Sequence, residues 1–267
     1  MIKNTKKDGD IPLVVSLTSW APRFKTLHLT LKSLFAQSLL ADKIVLWINE
    51  TEAEALPKEI VDFNSQNFEI RFVKGHNLRS YTKIIPSLTS FPESIIVTCD
   101  DDIVYYSNWL WDLYRYSLES NHSKIICHRA RLITFDQSFK LENFLDWPLL
   151  GPYDDRQCCL KVFPAGVGGV LYPPNCFYKD VLDQKMFTQL CEINDDIWLY
   201  FMSTILGIKK RKIPSNFTNY TVHEGSKNVA LWNINRISNI EKKLSNLVTL
   251  YKKNGQFDFI EAMKSIK

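Results

Sequence analysis

Short apolar runs alternate with helix-period segments through the first hundred residues. Leu13-Val14-Val15-Ser16-Leu17-Thr18, Lys43 to Ile48, Phe68 to Val73 and Ser94 to Cys99 read as strands of a parallel sheet. Such strands are buried on both faces and therefore read as near-continuous apolar runs. Between the first two, Phe24 to Gln37 carries Leu27, Leu29, Leu31, Leu34 and Phe35, a set that suits a helix. Pro57 suits the first turn of a short helix, and Tyr81 to Leu88 reads as a helix broken at Pro86. Strand–helix alternation with short connections predicts an α/β fold, a mainly parallel Rossmann-like sheet flanked by helices. Ligands of such folds bind outside the carboxyl ends of the strands. The fourth run delivers Asp100-Asp101-Asp102 to that position.

The second half has a different texture. Asn108 to Ser120 reads as an aromatic-rich helix and Lys124 to His128 as a strand, followed by a loop-rich stretch from Asp136 to Pro164. Gly166-Val167-Gly168-Gly169-Val170-Leu171-Tyr172 is expected to be a glycine-bearing strand, ended by Pro173-Pro174. Asn194-Asp195-Asp196 precedes an apolar helix, and two further helices, Ile237 to Tyr251 and Asp258 to Ser265, close the chain. With no repeat or linker, 267 residues are expected to form one domain. Its nucleotide-binding half is expected at about 12–128, its acceptor half at about 129–235 and its C-terminal helices at about 236–267.

Composition excludes some classes. No run of ~18 uncharged apolar residues exists, so a spanning helix is not expected. The polar start, Met1 to Asp8, lacks the apolar core of a signal peptide. A cytoplasmic protein is the expectation. The six cysteines form no CxxC pair, and the adjacent Cys158 and Cys159 suit neither a disulfide nor tetrahedral zinc, so free thiols are expected. A net charge of +4 does not imply a nucleic-acid partner. Lys209-Lys210-Arg211-Lys212 and the later Lys242, Lys243, Lys252 and Lys253 concentrate basic charge late in the chain. These residues read as a solvated helix face, or as a patch for an acidic acceptor or for anionic headgroups giving peripheral contact at the inner membrane face.

Three consecutive aspartates repel one another and call for a cation or good solvation. Mn²⁺ or Mg²⁺ takes oxygen ligands, often one or two carboxylates plus substrate phosphates, and would neutralise a diphosphate leaving group. Asp100 and Asp102, two apart, would share such a site while Asp101 points elsewhere. The alternative is a solvated turn that caps the following helix.

The segments Val15 to Arg23 and Thr30 to Ser38, with Leu34 and Gln37, resemble the opening of GT-A fold glycosyltransferases of the family 2 type. Leu78 to Pro86, leading to the triple aspartate, is similar to exostosin-like transferases. Asn194-Asp195-Asp196-Ile197-Trp198-Leu199 is similar to the acidic helix start of inverting GT-A enzymes. Asp195 stands where those enzymes carry Glu. The resemblance covers roughly residues 12–213. It implies transfer of a sugar from a nucleoside-diphosphate donor, UDP-linked by expectation, to a saccharide or lipid-linked acceptor, as in bacterial surface polysaccharide or lipo-oligosaccharide synthesis. It further implies that Thr18, Ser19 and Arg23 surround the nucleotide and that Lys83 faces the diphosphate. Asp100 would lie near ribose or metal, Asp101 near the donor sugar, and Asp102 would be the main metal ligand. Asp196 would be the base if the reaction inverts, with Asp195 beside it; family 2-type enzymes mostly invert and exostosin-like enzymes retain, so the resemblance leaves the stereochemistry open. Gly168 and Gly169 would border the donor sugar, and His223 would supply a further metal ligand. The structural alternatives are helix N-terminal stabilisation for the acid pair, close packing for the glycines, Gly166 included, and a surface loop for His223. Trp109, Trp111, Tyr114, Tyr116, Trp147, Trp198 and Trp232 are expected to pack in the core rather than on sugars.

Two other functions compete. Asp100-Asp101-Asp102-Ile103-Val104 also fits the signature of haloacid-dehalogenase-type phosphatases, although their nucleophile follows the first core strand and three strand patterns precede this one. A carbohydrate-binding module with a structural cation is the non-enzymatic alternative.

Overall fold

The structure, a computed structural model, describes residues 9–63, 66–154, 156, 158–215, 221–222 and 240–265. The strands are β1 (Leu13–Thr18), β2 (Lys43–Asn49), β3 (Phe68–Val73), β4 (Ile95–Thr98), β5 (Ile103–Val104), β6 (Ile125–Cys127), β7 (Ala130–Leu132), β8 (Cys158–Cys159), β9 (Val162–Pro164), β10 (Val170–Tyr172), β11 (Lys210–Lys212) and β12 (Thr221–Val222). The helices are α1 (Phe24–Phe35), α2 (Lys58–Val61), α3 (Ile85–Ser90), α4 (Trp109–Glu119), α5 (Gln184–Cys191), α6 (Asp195–Ile205), α7 (Ile240–Lys253) and α8 (Phe259–Lys264).

Eight strands form one sheet in the order β3-β2-β1-β4-β10-β6-β11-β8. The first four are mutually parallel, β10 runs antiparallel between β4 and β6, and β11 returns parallel to β6. Two-stranded ribbons, β12 with β5 and β7 with β9, lie outside it. The predicted α/β class is the one found.

Alternation within β1 sets the layers. Leu13, Val15 and Leu17 face one side, where they join Leu27 and Leu31 of α1 and Leu113 of α4 in one apolar cluster. Val14 faces the other side and packs with Val45 and Trp47. Beyond β4 that second face is covered by the larger cluster of α5, α6, α7 and α8, with Phe187, Trp198, Phe201, Tyr251 and Phe259 inside it. Trp109, Tyr114, Trp147 and Trp198 are core residues, while Trp111 and Tyr116 pack at its edge. Trp232 and His223 lie outside the described residues.

Three local expectations are corrected. Pro86 does not break a helix: Arg79–Lys83 is a 3-10 turn, and Pro86 lies in the opening turn of α3, where its missing N–H costs nothing. Gly166–Gly168 is a 3-10 turn before β10, not part of that strand. The largest correction concerns Lys210-Arg211-Lys212. This run is a strand of the main sheet rather than a solvated helix, and Lys210 and Lys212 are 0% and 2% exposed. Strand alternation turns Arg211 to the opposite face, 2.9 Å from Glu119 and over the Tyr116 ring. Lys210 Nζ donates to Thr204 Oγ1 at 2.6 Å and lies 4.7 Å from the Tyr200 ring centroid. Burial pushes its pKa well below the ordinary lysine value. The four later lysines do belong to a helix. Lys243 is only partly solvated, because its Nζ turns in to Asn194 Oδ1.

Candidate active site

The register of β1 against β4, Ser16 opposite Thr98, brings the residues after both strands to the same edge of the sheet. Ser19 and Arg23 thereby meet Asp101, 82 and 78 positions further along the chain. Ser19 Oγ donates to Asp101 Oδ2 at 2.5 Å, and Arg23 Nη1 pairs with Asp101 Oδ1 at 2.5 Å. Arg23 Nη2 reaches Asp102 Oδ2 at 3.3 Å. Burial raises the Asp101 pKa, against the lowering effects of Arg23 and Ser19. Burial also works against the Arg23 charge, but the neighbouring carboxylates outweigh it and its pKa rises. Thr18 Oγ1 donates to Trp47 O at 2.8 Å, tying the end of β1 to β2. Asp101 is the most enclosed acid of the triplet, with its side chain 5% exposed.

Asp100 turns the other way. Its Oδ1 accepts from Lys83 Nζ at 2.7 Å, and the same ammonium is 3.7 Å from Asp195 Oδ2. Asp195 and Asp196 open α6, where the helix dipole favours negative charge. Asp195 Oδ2 has no hydrogen-bond donor among the described residues. Asp196 Oδ2 accepts from the Gly166 backbone N–H at 3.2 Å. A Cβ on Gly166 would stand 3.0 Å from Asp196 Oδ1 and 3.6 Å from Lys83 Nζ, so glycine lets this turn close on the acids. Burial, then the adjacent Asp195, raises the Asp196 pKa, while Lys83 and Gly166 act in the opposite direction. For Lys83, burial opposes the charge but Asp100, Asp195 and Asp196 outweigh it, and its pKa rises.

The two groups meet through Asp100 and a buried strut that no sequence signal marks. The Asp100 N–H donates to the Tyr105 hydroxyl at 2.9 Å, and the Tyr105 ring packs on Trp109 at 4.3 Å. Trp109 Nε1 donates to Gly168 O at 2.7 Å. Gly169, at φ +87°, presses on the same indole, and a Cβ there would fall 2.4 Å from Trp109 Cζ2. Gly168 is likewise tight against Arg129 and His128. Both glycines are therefore closely packed against neighbouring residues. Of the residues singled out for a site, Ser19, Arg23, Lys83, Asp100, Asp101, Asp102, Asp195 and Asp196 gather at one edge of the sheet.

Five carboxylates share this edge with two cations, Arg23 and Lys83, leaving an acidic excess of oxygen donors of the kind hard divalent ions take. Among the described residues no group of three such side chains is disposed to hold a metal by itself. The donor set fits a cation that takes one or two ligands from the chain and the rest from phosphate and water.

No protein-family model matches this sequence, and no curated protein matches it. Solved structures do share its fold. A 4-diphosphocytidyl-2C-methyl-D-erythritol synthase from Anaerococcus prevotii has a TM-score of 0.50 at 14% identity, covering 85% of this chain and 100% of that one. The 2-C-methyl-D-erythritol 4-phosphate cytidylyltransferase of Francisella tularensis has a TM-score of 0.50 at 12% identity, covering 83% and 99%. TarS 1–349 of S. aureus, solved in complex with UDP, has a TM-score of 0.50 at 10% identity, covering 77% of this chain and 59% of that one. At these identities the likeness concerns the fold alone, and this chain has the Rossmann-like α/β fold of the GT-A type.

Proposed function

We propose that the protein is a glycosyltransferase that moves a sugar from a nucleoside-diphosphate donor, UDP-linked in the first instance, to a saccharide or lipid-linked acceptor. The observation that supports it most is the gathering of Asp100, Asp195 and Asp196 around Lys83 at the carboxyl edge of β4. One edge then offers a cation for the leaving diphosphate and a carboxylate for the acceptor hydroxyl. Thr18, Ser19 and Arg23 line the nucleotide side. Asp102 and Asp100 would hold Mn²⁺ or Mg²⁺, whose contribution is to neutralise the departing diphosphate. Asp196 accepts the acceptor proton on a carboxylate oxygen, and its raised pKa makes it a stronger base than an exposed aspartate. The Gly166 N–H holds it in place, and the adjacent Asp195 charge helps to keep its pKa raised.

The chain acts as one domain in this reading, since the main sheet takes strands from both the nucleotide and the acceptor halves. No helix among the described residues is long and apolar enough to cross a membrane. A cytoplasmic enzyme of surface-polysaccharide synthesis, touching the inner membrane face with its late basic helix, is the setting we infer. UDP with Mn²⁺ should raise the melting temperature, and Asp102→Ala should abolish that rise. A donor panel then reads released UDP with and without acceptor. Hydrolysis of p-nitrophenyl phosphate through an acyl-phosphate at Asp100, or glycan binding without donor turnover, would remove the proposal.

A further inference from the structure

Arg23 already occupies the acid that the proposed function gives to the metal, and the manner of its occupation is uneven. Nη1 is 2.5 Å from Asp101, whereas Nη2 is 3.3 Å from Asp102. Asp101 is held a second time, by Ser19 at 2.5 Å, and its backbone carbonyl accepts from Thr30 Oγ1 at 2.9 Å. Asp101 is thus a fixed anchor for the guanidinium, and Asp102, the more exposed of the two, is its yielding contact. The remaining donor, Nε, is buried and has no acceptor among the described residues. This guanidinium is incompletely used in the present arrangement. A planar fork with a spare donor matches the two oxygens of a phosphate.

We propose that Arg23 is an internal counter-ion that keeps bare divalent metal off Asp102 and yields that carboxylate only to a metal arriving with a nucleoside diphosphate. The inference rests on the function proposed above. Electrostatics sets the preference. A free divalent cation approaching Asp102 meets a fixed positive charge a few ångströms away that offsets the attraction of the neighbouring acids. A metal–diphosphate complex carries no net positive charge. Its phosphate oxygens satisfy the spare Nε donor and the Nη2 donor that rotation about the Asp101 anchor sets free. Metal and nucleotide then strengthen each other's binding by the same factor, as linkage requires.

Mn²⁺ gives a direct measurement, because the paramagnetic resonance signal of the hydrated ion is lost on binding, with no need for turnover. In the unaltered protein, saturating UDP should tighten Mn²⁺ binding at least thirtyfold. Arg23→Gln, which keeps a hydrogen-bonding side chain at Asp101, should bind Mn²⁺ alone at least tenfold more tightly than the unaltered protein. Its gain from UDP should fall to a few-fold. Arg23→Lys keeps the charge but not the fork. It should bind Mn²⁺ alone as weakly as the unaltered protein, with the UDP effect reduced at least tenfold. If Arg23→Gln fails the circular-dichroism check for folding, Arg23→Lys decides. Unchanged affinity for Mn²⁺ alone in Arg23→Gln, or an undiminished UDP effect in Arg23→Lys, overturns the counter-ion role while leaving the transferase reading intact. Failure of the unaltered protein to bind UDP with Mn²⁺ at all overturns both.

Discussion

Lys83 stands at the carboxyl edge of the sheet, with Asp100 at 2.7 Å and Asp195 at 3.7 Å. Lys210 lies beneath α6, where its ammonium group donates to the Thr204 hydroxyl and sits over the face of Tyr200. Both side chains are buried, and burial disfavours the charge of each. At Lys83 three carboxylates reverse that effect and the pKa rises; at Lys210 burial prevails and the pKa falls far. Burial alone therefore does not decide the charge of a lysine. Accumulated opposite charge does, and in this molecule it accumulates at the strand ends.

The contrast between the two lysines is tested most severely at Lys83. Lys83→Met leaves Asp100 and Asp195 without their cation, and losing one partner of a buried pair costs roughly 3–5 kcal/mol. Urea denaturation should register that loss, together with disappearance of any UDP-induced thermal shift. A variant as stable as the parent would mean that these acids never needed the ammonium. Lys210→Met should move stability the other way, by about 1–2 kcal/mol at pH 7, because an amine with little polar company is exchanged for an apolar chain. The folded-state pKa of Lys210 is below its ordinary 10.5, so the unfolded chain takes the proton more readily. The parent should lose stability as pH falls from about 10 toward that lowered pKa. A thioether in place of the amine cannot titrate, so the advantage of Lys210→Met should shrink as pH rises toward and past the ordinary 10.5 and grow below it. A constant difference between pH 7 and 10 would place a charged lysine in the core.

Gly166→Ala probes the acidic side. Its Cβ would meet Asp196 Oδ1 at 3.0 Å, displacing the carboxylate with little effect elsewhere. Turnover should drop roughly tenfold, about 1.4 kcal/mol of barrier, with melting nearly unchanged; equal losses in both would show that the turn serves folding. The smallest effect is a displacement on the pH axis. Asp196 has a raised pKa and must be ionised to accept a proton. The acid limb of kcat/KM should consequently sit above the usual aspartate range, with activity rising as pH increases through it. A limb near the ordinary aspartate value of about 4 would remove Asp196 from the role of base.

Much of the sheet was legible because β1, β2, β3 and β4 are apolar runs flanked by helix-period segments. The gathering of Asp100 with Asp195 and Asp196 was implied by the resemblance, each acid standing at an element boundary. The pairing of Arg23 with Asp101 had no such signal: it depends on β1 lying beside β4, a relation between strands rather than a property of either. The run Lys210–Lys212 was misread because charge outweighs alternation in any short basic stretch, and nothing local says that two of its side chains will be covered. The turn at Gly166–Gly168 escaped for the opposite reason. Its glycines suit a strand bulge and a tight turn equally, and the choice is made by Trp109, whose indole fills the space beside Gly169.

That indole has a practical consequence. Trp109 is 0% exposed and touches both halves of the acidic edge, through Tyr105 on one side and the carbonyl of Gly168 on the other. Light absorbed there reports on the joint itself, so a shift of either turn during a catalytic cycle should change the emission spectrum without any attached dye. Seven tryptophans contribute to that spectrum, and subtracting the trace of Trp109→Phe isolates the one seated between Tyr105 and the Gly168 turn.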